Sequence, residues 1–280
     1  MSEQVDSPIT RSIHASGERI PVIGLGTWQT FDVGEPDYEA RGRLLSEFVA
    51  LGGTMIDSSP MYGRAEQAVG ATVERLGVRS RVFLATKVWT TGRAAGVRQM
   101  EESLRKLQAE RVDLLQVHNL VDVGTQLRTL REWQQAGRVR YIGVTHYAAA
   151  AHAAVTKVLE TEPVDFLQIN YSVGERDAER RLLPTALERG ISVIVNRPFG
   201  EGHLLRRLRE RPVPSWAGEI GCDSWAQLLL KFIVAHPAVT CVIPATADSG
   251  HLRDNMRAQT GALPDEALRR RIAAESDRRG

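Results

Sequence analysis

Cysteine is scarce in this chain. Two occur in 280 residues, Cys222 and Cys241, with neither a CxxC spacing nor a neighbouring pair of histidines. That argues against a disulfide framework and a metal site, and makes a reducing compartment the natural setting. Long apolar runs are missing as well: none approaches the roughly 20 residues that a membrane span needs, so no membrane association is expected. The first dozen residues are polar and include Asp6 and Pro8. They lack the basic start and apolar stretch of a signal peptide, and a cytoplasmic location is the expectation. Charge of one sign is also lacking. Lys and Arg number 36 against 34 Asp and Glu, a net +2, too little to call for nucleic acid or an anionic membrane surface. The arginines at 269, 270, 271, 278 and 279 read as a solvated helix end. Absent, finally, is the G-x-G-x-x-G fingerprint. Gly24-Leu25-Gly26 is followed by Thr27 and Trp28, which argues against an open, doubly wound dinucleotide-binding sheet.

What is present is a regular alternation. Short apolar, β-branched runs lie at residues 22–26, 54–57, 82–86, 114–117, 141–144, 166–169, 191–195 and 240–243. Each is too short for a helix, and most lack polar alternation, as buried parallel strands do. Helical patterns fall between them at 38–51, 65–76, 94–108, 123–136, 148–160, 177–189, 225–236 and 250–259. Leu44, Leu45, Phe48 and Leu51 share one face of the first, and Met100, Leu104 and Leu107 one face of the third. Glycine or proline stands at several of the ends: Gly52, Gly77, Gly137, Pro163, Gly190 and Pro237. Eight β–α alternations without a linker or a jump in composition predict an α/β fold. It is one domain over 1–280, a single (β/α)8 TIM barrel with its core over about 20–260, a short N-terminal β-hairpin and an extra C-terminal helix over 265–279. No exposed apolar stripe demands a partner, so monomer is the default.

Barrels carry their chemistry at the C-terminal ends of strands, and here those ends are loaded. The second strand ends at Asp57, with Tyr62 five residues on; the third ends at Lys87 and the fourth at His118. Each alone is weak, since a loop tyrosine is usually packing and a strand-end lysine usually solvated. Together they suit one reaction. Carbonyl reduction needs hydride on carbon and a proton on oxygen. A phenol with an ordinary pKa of about 10 keeps its proton at neutral pH. The Lys87 ammonium would lower that value, Asp57 would hold Lys87 charged, and His118 could orient and polarise the carbonyl.

The segment Ile56-Asp57-Ser58-Ser59-Pro60-Met61-Tyr62-Gly63-Arg64-Ala65-Glu66 resembles the D-[ST]-A-x-x-Y-G-x-x-E signature of the aldo-keto reductase superfamily. Leu84-Ala85-Thr86-Lys87-Val88-Trp89 is similar to that family's lysine strand, and Asp113-Leu114-Leu115-Gln116-Val117-His118 to its histidine strand. The run 20–28 resembles its first barrel strand, and Ile243-Pro244-Ala245-Thr246 with Asp254-Asn255 its adenosine-phosphate segment. The likeness runs in order over about 20–255. It implies a (β/α)8 barrel, NADPH as the usual cofactor, and a catalytic tetrad of Asp57, Tyr62, Lys87 and His118.

The resemblance also implies a cofactor site at Gly26, Thr27, Trp28 and Asp57, with departures further on. The Ser-Asn pair that usually holds the carboxamide is replaced by Thr145-His146, while Gln168 fits the pattern. A stacking tyrosine is replaced by Asn196, followed by Arg197-Pro198-Phe199-Gly200. Stacking is then expected from Phe199 or the guanidinium plane of Arg197, with barrel-rim packing an equal reading for Phe199. The loop 200–205, including Leu204, is expected over the pyrophosphate. The Lys and Arg that clamp a 2′-phosphate in many relatives are here Ala245 and His251. Thr246, Arg253 and the helix start at 248–250 remain as phosphate contacts, so NADPH is the first choice and NADH stays possible. Trp28, Met61, Tyr62, Trp89, His118 and Asn119 are expected to line the mouth for a small aldehyde or ketone. Two other classes remain open: a cofactor-binding regulatory subunit, and a redox-neutral dehydratase or cyclase working through Tyr62 and Lys87.

Overall fold

A computed structural model describes residues 7–278. Positions 1–6, 279 and 280, with the arginine expected at 279, lie outside the described residues. The chain opens with an antiparallel hairpin, β1 (Thr10–Ser12) and β2 (Arg19–Pro21), in which Arg11 faces Ile20. Eight parallel strands follow: β3 (Leu25–Gly26), β4 (Met55–Asp57), β5 (Phe83–Val88), β6 (Val112–His118), β7 (Val139–Thr145), β8 (Phe166–Asn170), β9 (Ser192–Asn196) and β10 (Val239–Val242). Each pairs with its sequence neighbours. The seam between first and last closes through parallel bridges from Ile23 to Val242 and from Gly26 to Ala245, with Gly24 N–H donating to Val242 O at 2.8 Å. The sheet is therefore a barrel. Gly26 is required at that seam, because a Cβ there would meet the Ile243 carbonyl oxygen at 2.9 Å.

The helices lie outside: α1 (Tyr38–Ala50), α2 (Ala65–Leu76), α3 (Arg93–Lys106), α4 (Val123–Gln135), α5 (His152–Thr161), α6 (Leu182–Glu188), α7 (His203–Leu208), α8 (Trp225–Val234), α9 (Ser249–Arg257) and α10 (Glu266–Asp277). Two differences from the sequence reading have local causes. The stretch 177–189 divides into a 3-10 turn, Asp177–Arg180, and α6. Pro184 sits in the first turn of α6, where its missing N–H costs nothing; in one continuous helix its ring would meet the carbonyl of Arg180. The region expected as loop at 200–205 turns helical from His203. Gly202, at φ 80°, opens that helix, and its short apolar face, Leu204 and Leu208, left too little periodicity to read.

Alternation along the strands divides the residues between two cores. Ile56, Leu84, Leu115, Ile142, Leu167, Val193 and Val242 face the helices in the larger core. Met55, Phe83, Ala85, Leu114, Tyr141, Phe166, Ile194 and Cys241 fill the barrel floor with Ile13 and Ile20 of the hairpin. Phe83, Tyr141 and Phe166 contact one another there at centroid distances of 5.5–6.1 Å. Below them Arg140 bridges Glu18 and Asp113, tying the hairpin to the barrel. Further up the same strands the inward positions turn polar, so these strands alternate although most of the runs were expected to lack polar alternation.

Candidate active site

Asp57, Lys87, Gln116, His118, Thr145, Gln168 and Asn196 follow the floor residues along their strands, toward the C-terminal rim. Register sets them side by side: Lys87 is level with Gln116, His118 with Thr145, and Thr145 with Gln168. Lys87 lies one residue inside β5 and has no exposed surface. Its Nζ donates to Asp57 Oδ2 at 2.6 Å and to the Ser58 carbonyl at 2.7 Å. The other oxygen, Asp57 Oδ1, accepts from Gln168 Nε2 at 2.7 Å and Gln116 Nε2 at 3.4 Å. A buried ion pair holds only when its remaining lone pairs are satisfied, and both carboxylate oxygens are.

Tyr62 comes from the loop after β4, which the Tyr62 N–H closes by donating to the Ser59 carbonyl at 3.0 Å. The Lys87 Nζ is 4.8 Å from the Tyr62 ring centroid, and the His118 ring stands edge-on to Tyr62 at 6.1 Å. Lys87 does favour the phenolate, as expected, but burial outweighs it, and the phenol is pushed above the usual tyrosine range. The sequence reading anticipated the lysine and missed the desolvation. Burial also works against the Lys87 ammonium, yet Asp57 and Tyr62 overcome it and keep the amine charged. Burial, then Lys87 and His146, drives His118 down to about 3, so its imidazole is neutral. Its Nδ1 lies 3.2 Å from Ser59 Oγ.

Tyr62 and His118 stand at one end of a cavity of about 600 Å³ that runs to the start of α9. Of the expected cofactor residues, Gly26, Thr27, Trp28, Asp57, Thr145, His146, Gln168, Asn196, Arg197, Pro198, Phe199, Ile243, Pro244, Ala245, Thr246, His251, Asp254 and Asn255 line it. Met61 and Asn119 line it too. Lys87 is sealed behind Tyr62. Gly200, Leu204 and Trp89 do not reach the cavity. Leu204 packs into the helix-side core, and Trp89, 41% exposed, lies outside with its backbone N–H donating to Gln99 Oε1. Trp89 directly follows β5, in which inward residues alternate with outward ones, a parity that a list of strand ends ignores, whereas Leu204 belongs to α7 and its buried face.

The amide groups form one connected set. Gln168 Oε1 accepts from Thr145 Oγ1 at 3.2 Å and from Asn196 Nδ2 at 3.4 Å, and Asn196 Nδ2 also reaches the His146 carbonyl at 3.3 Å. Asn196 Oδ1 and Asn119 Oδ1 are buried without partners beside the cavity. Sequence reasoning missed Tyr147, which lines the mouth. The Arg197 guanidinium lies 4.3 Å from the Tyr147 ring and 5.9 Å from Trp28, and pairs with Glu201 at 2.8 Å. Phe199 both lines the cavity and packs on the core, so its two readings meet. At the far end Asp248 Oδ1 accepts the His251 N–H at 2.8 Å, capping α9, and Arg253 is paired with Glu47 at 2.6 Å. The phosphate contacts expected from the helix start and from Arg253 are thus already engaged.

The aldo/keto reductase family profile matches residues 22–273, nearly all of the barrel just described. The chain belongs to the aldo/keto reductase family. It is 30% identical over 216 residues to the aldo-keto reductase YhdN of Bacillus subtilis (strain 168), an alignment covering 71% of this chain and 64% of that protein. It is 28% identical to the methylglyoxal reductase YeaE of Escherichia coli (strain K12), over 88% of each. Among solved structures, an aldo-keto reductase from Klebsiella pneumoniae in complex with NADPH superposes with a TM-score of 0.82 at 26% identity, covering 96% of this chain and 95% of that one. In this aldo/keto reductase no helix among the described residues is long and apolar enough to cross a membrane.

Proposed function

We propose that this aldo/keto reductase reduces a small aldehyde or ketone to the alcohol with a nicotinamide dinucleotide, Tyr62 giving the proton. The observation that carries the reading is the wholly buried Lys87 ammonium, held by Asp57 behind a tyrosine that opens onto the cavity. A bound nicotinamide supplies the hydride. Tyr62, protonated through the neutral range, donates to the developing alkoxide, and the charge on Lys87 stabilises the phenolate left behind. Neutral His118 hydrogen-bonds the carbonyl oxygen and fixes its direction. Trp28, Met61 and Asn119 supply the mouth around a small substrate.

The residues fit a dinucleotide. The unpartnered Asn196 Oδ1 is a ready acceptor for a carboxamide N–H, beside Thr145, His146 and Gln168. Arg197, Pro198 and Phe199 would hold the pyrophosphate, and Thr246, His251, Asp254 and Asn255 the adenosine end. NADPH is the cofactor suggested by the Klebsiella relative's complex. NADH is the second reading, favoured by the Asp248 carboxylate at the start of α9 and by the engagement of Arg253 with Glu47. Fluorescence titration with each nucleotide, then absorbance assays on a panel of aldehydes and ketones, tests the reading. Tyr62→Phe should keep nucleotide binding and lose about 100- to 10,000-fold in carbonyl reduction. A mutant as fast as the parent removes Tyr62 from the mechanism. Turnover of substrate without loss of reduced nucleotide would point to a dehydratase or cyclase instead.

A further inference from the structure

Ser59 lies in the loop between β4 and α2, with no exposed surface. Alanine occupies its position in the signature that this segment resembles. Among the described residues its Oγ has two partners: the Met61 N–H at 3.2 Å and His118 Nδ1 at 3.2 Å. A backbone N–H can only donate, so Met61 takes one lone pair of Oγ. The serine O–H then has a single acceptor on offer, Nδ1. Were Nδ1 itself protonated, two donors would converge on Oγ, and the hydroxyl proton would be buried with nothing to bond, a costly arrangement in a dry interior. We propose that Ser59 is a positioning residue, whose hydroxyl donates to His118 Nδ1 and holds the imidazole as the tautomer protonated at Nε2.

A neutral imidazole has one N–H, and its location decides what the ring can do. With Nδ1 occupied by Ser59, the N–H is kept on the other ring nitrogen, free to donate to a carbonyl oxygen. The same serine accepts the Tyr62 N–H through its backbone carbonyl at 3.0 Å. One residue thus ties the loop of the proton donor to the group that orients the substrate. Alanine would keep the carbonyl contact and lose the hydroxyl.

The catalytic meaning of this inference rests on the reductase reading, whereas the tautomer does not, and the experiment separates them. Nitrogen-15 NMR of the full-length, histidine-labelled protein at neutral pH, with the His118 signals assigned through His118→Gln, reads the protonation of each ring nitrogen without turnover. The expected spectrum has Nδ1 unprotonated and hydrogen-bonded, and Nε2 protonated. Ser59→Ala should shift the Nδ1 resonance and admit the second tautomer, while Ser59→Thr retains the parent pattern. In assays Ser59→Ala should raise KM and lower kcat/KM about fivefold, the loss of one hydrogen bond, with nucleotide affinity unchanged and with recovery in Ser59→Thr. A protonated Nδ1 in the parent, or a His118 spectrum indifferent to Ser59→Ala, overturns the proposal. The expected tautomer in a chain that reduces no carbonyl upholds it and removes the reductase reading alone.

Discussion

The floor and the rim of this barrel come from alternate residues of the same strands, a few ångströms apart, and their chemistry is opposite. At the floor Met55, Phe83, Leu114, Tyr141, Phe166 and Ile194 interlock with the hairpin's Ile13 and Ile20. Two residues further along those strands stand Asp57, Gln116, Gln168 and Asn196, with Lys87 two beyond Ala85 and His118 two beyond Gln116. The floor is held by burial of apolar area, which is non-directional and tolerates small shifts. The rim is held by charge and hydrogen bonds, above all the pair of Lys87 and Asp57 with Gln168 and Gln116 on the other carboxylate oxygen, while Asn196 Oδ1 is left without a partner. A change at the floor should therefore cost stability and spare chemistry. At the rim it should cost both.

The largest expected effect is Lys87→Met. It leaves the Asp57 carboxylate buried without its cation, which costs about 3–5 kcal/mol, and it abolishes most carbonyl reduction. Urea denaturation and turnover measured on one preparation check both; a stable, active variant would erase the contrast between the two regions. Nearly as large in stability is Phe166→Ala at the floor, about 3–5 kcal/mol from lost packing and a cavity. Here the nucleotide affinity of the folded fraction should match the parent's, and a large loss of affinity would show that floor and rim are mechanically coupled.

A third effect is spread over several pH units. Folded His118 stays neutral down to about 3, whereas the unfolded chain protonates it near 6.5. The unfolded state therefore binds the extra proton in that window, and stability falls as pH drops from 6.5 toward 3, by up to about 1.4 kcal/mol per pH unit from this group. Removing the imidazole with His118→Gln should flatten the slope between pH 6.5 and 4, measured by denaturant titration at several pH values. An unchanged slope would assign the acid sensitivity to other groups. The smallest expected change is Trp89→Ala. Trp89 follows β5 yet lies outside the cavity, so kcat/KM should stay within about twofold, and a larger drop would return it to the substrate mouth.

Much of the fold was legible in the residues. Eight apolar runs, separated by helical periodicity and ended by glycine or proline, named the strands in order, because strand and helix leave different periods in a sequence. The site was legible in part. Asp57, Lys87 and His118 stood at expected strand ends with Tyr62 in the loop after the first of them, and the signature around Asp57 and Tyr62 agreed. Ser59 and Tyr147 were missed. A serine beside proline looks like loop punctuation until a histidine 59 positions later is found at its hydroxyl, and Tyr147 carried no signal beyond following Thr145-His146. Trp89, Gly200 and Leu204 were drawn into the site by proximity in sequence and do not line the cavity.

By itself the sequence determined the order of the elements, the apolar inner faces and the four side chains proposed to carry the chemistry, since these depend on local periodicity and on side-chain type. Only the tertiary structure decided which of those groups face one another. It settled that burial outweighs Lys87 at Tyr62, that Gln168 is bound to Asp57, and which nitrogen of His118 meets Ser59. The reason is physical: desolvation and hydrogen-bond pairing are set by neighbours from distant strands, and no stretch of sequence contains them.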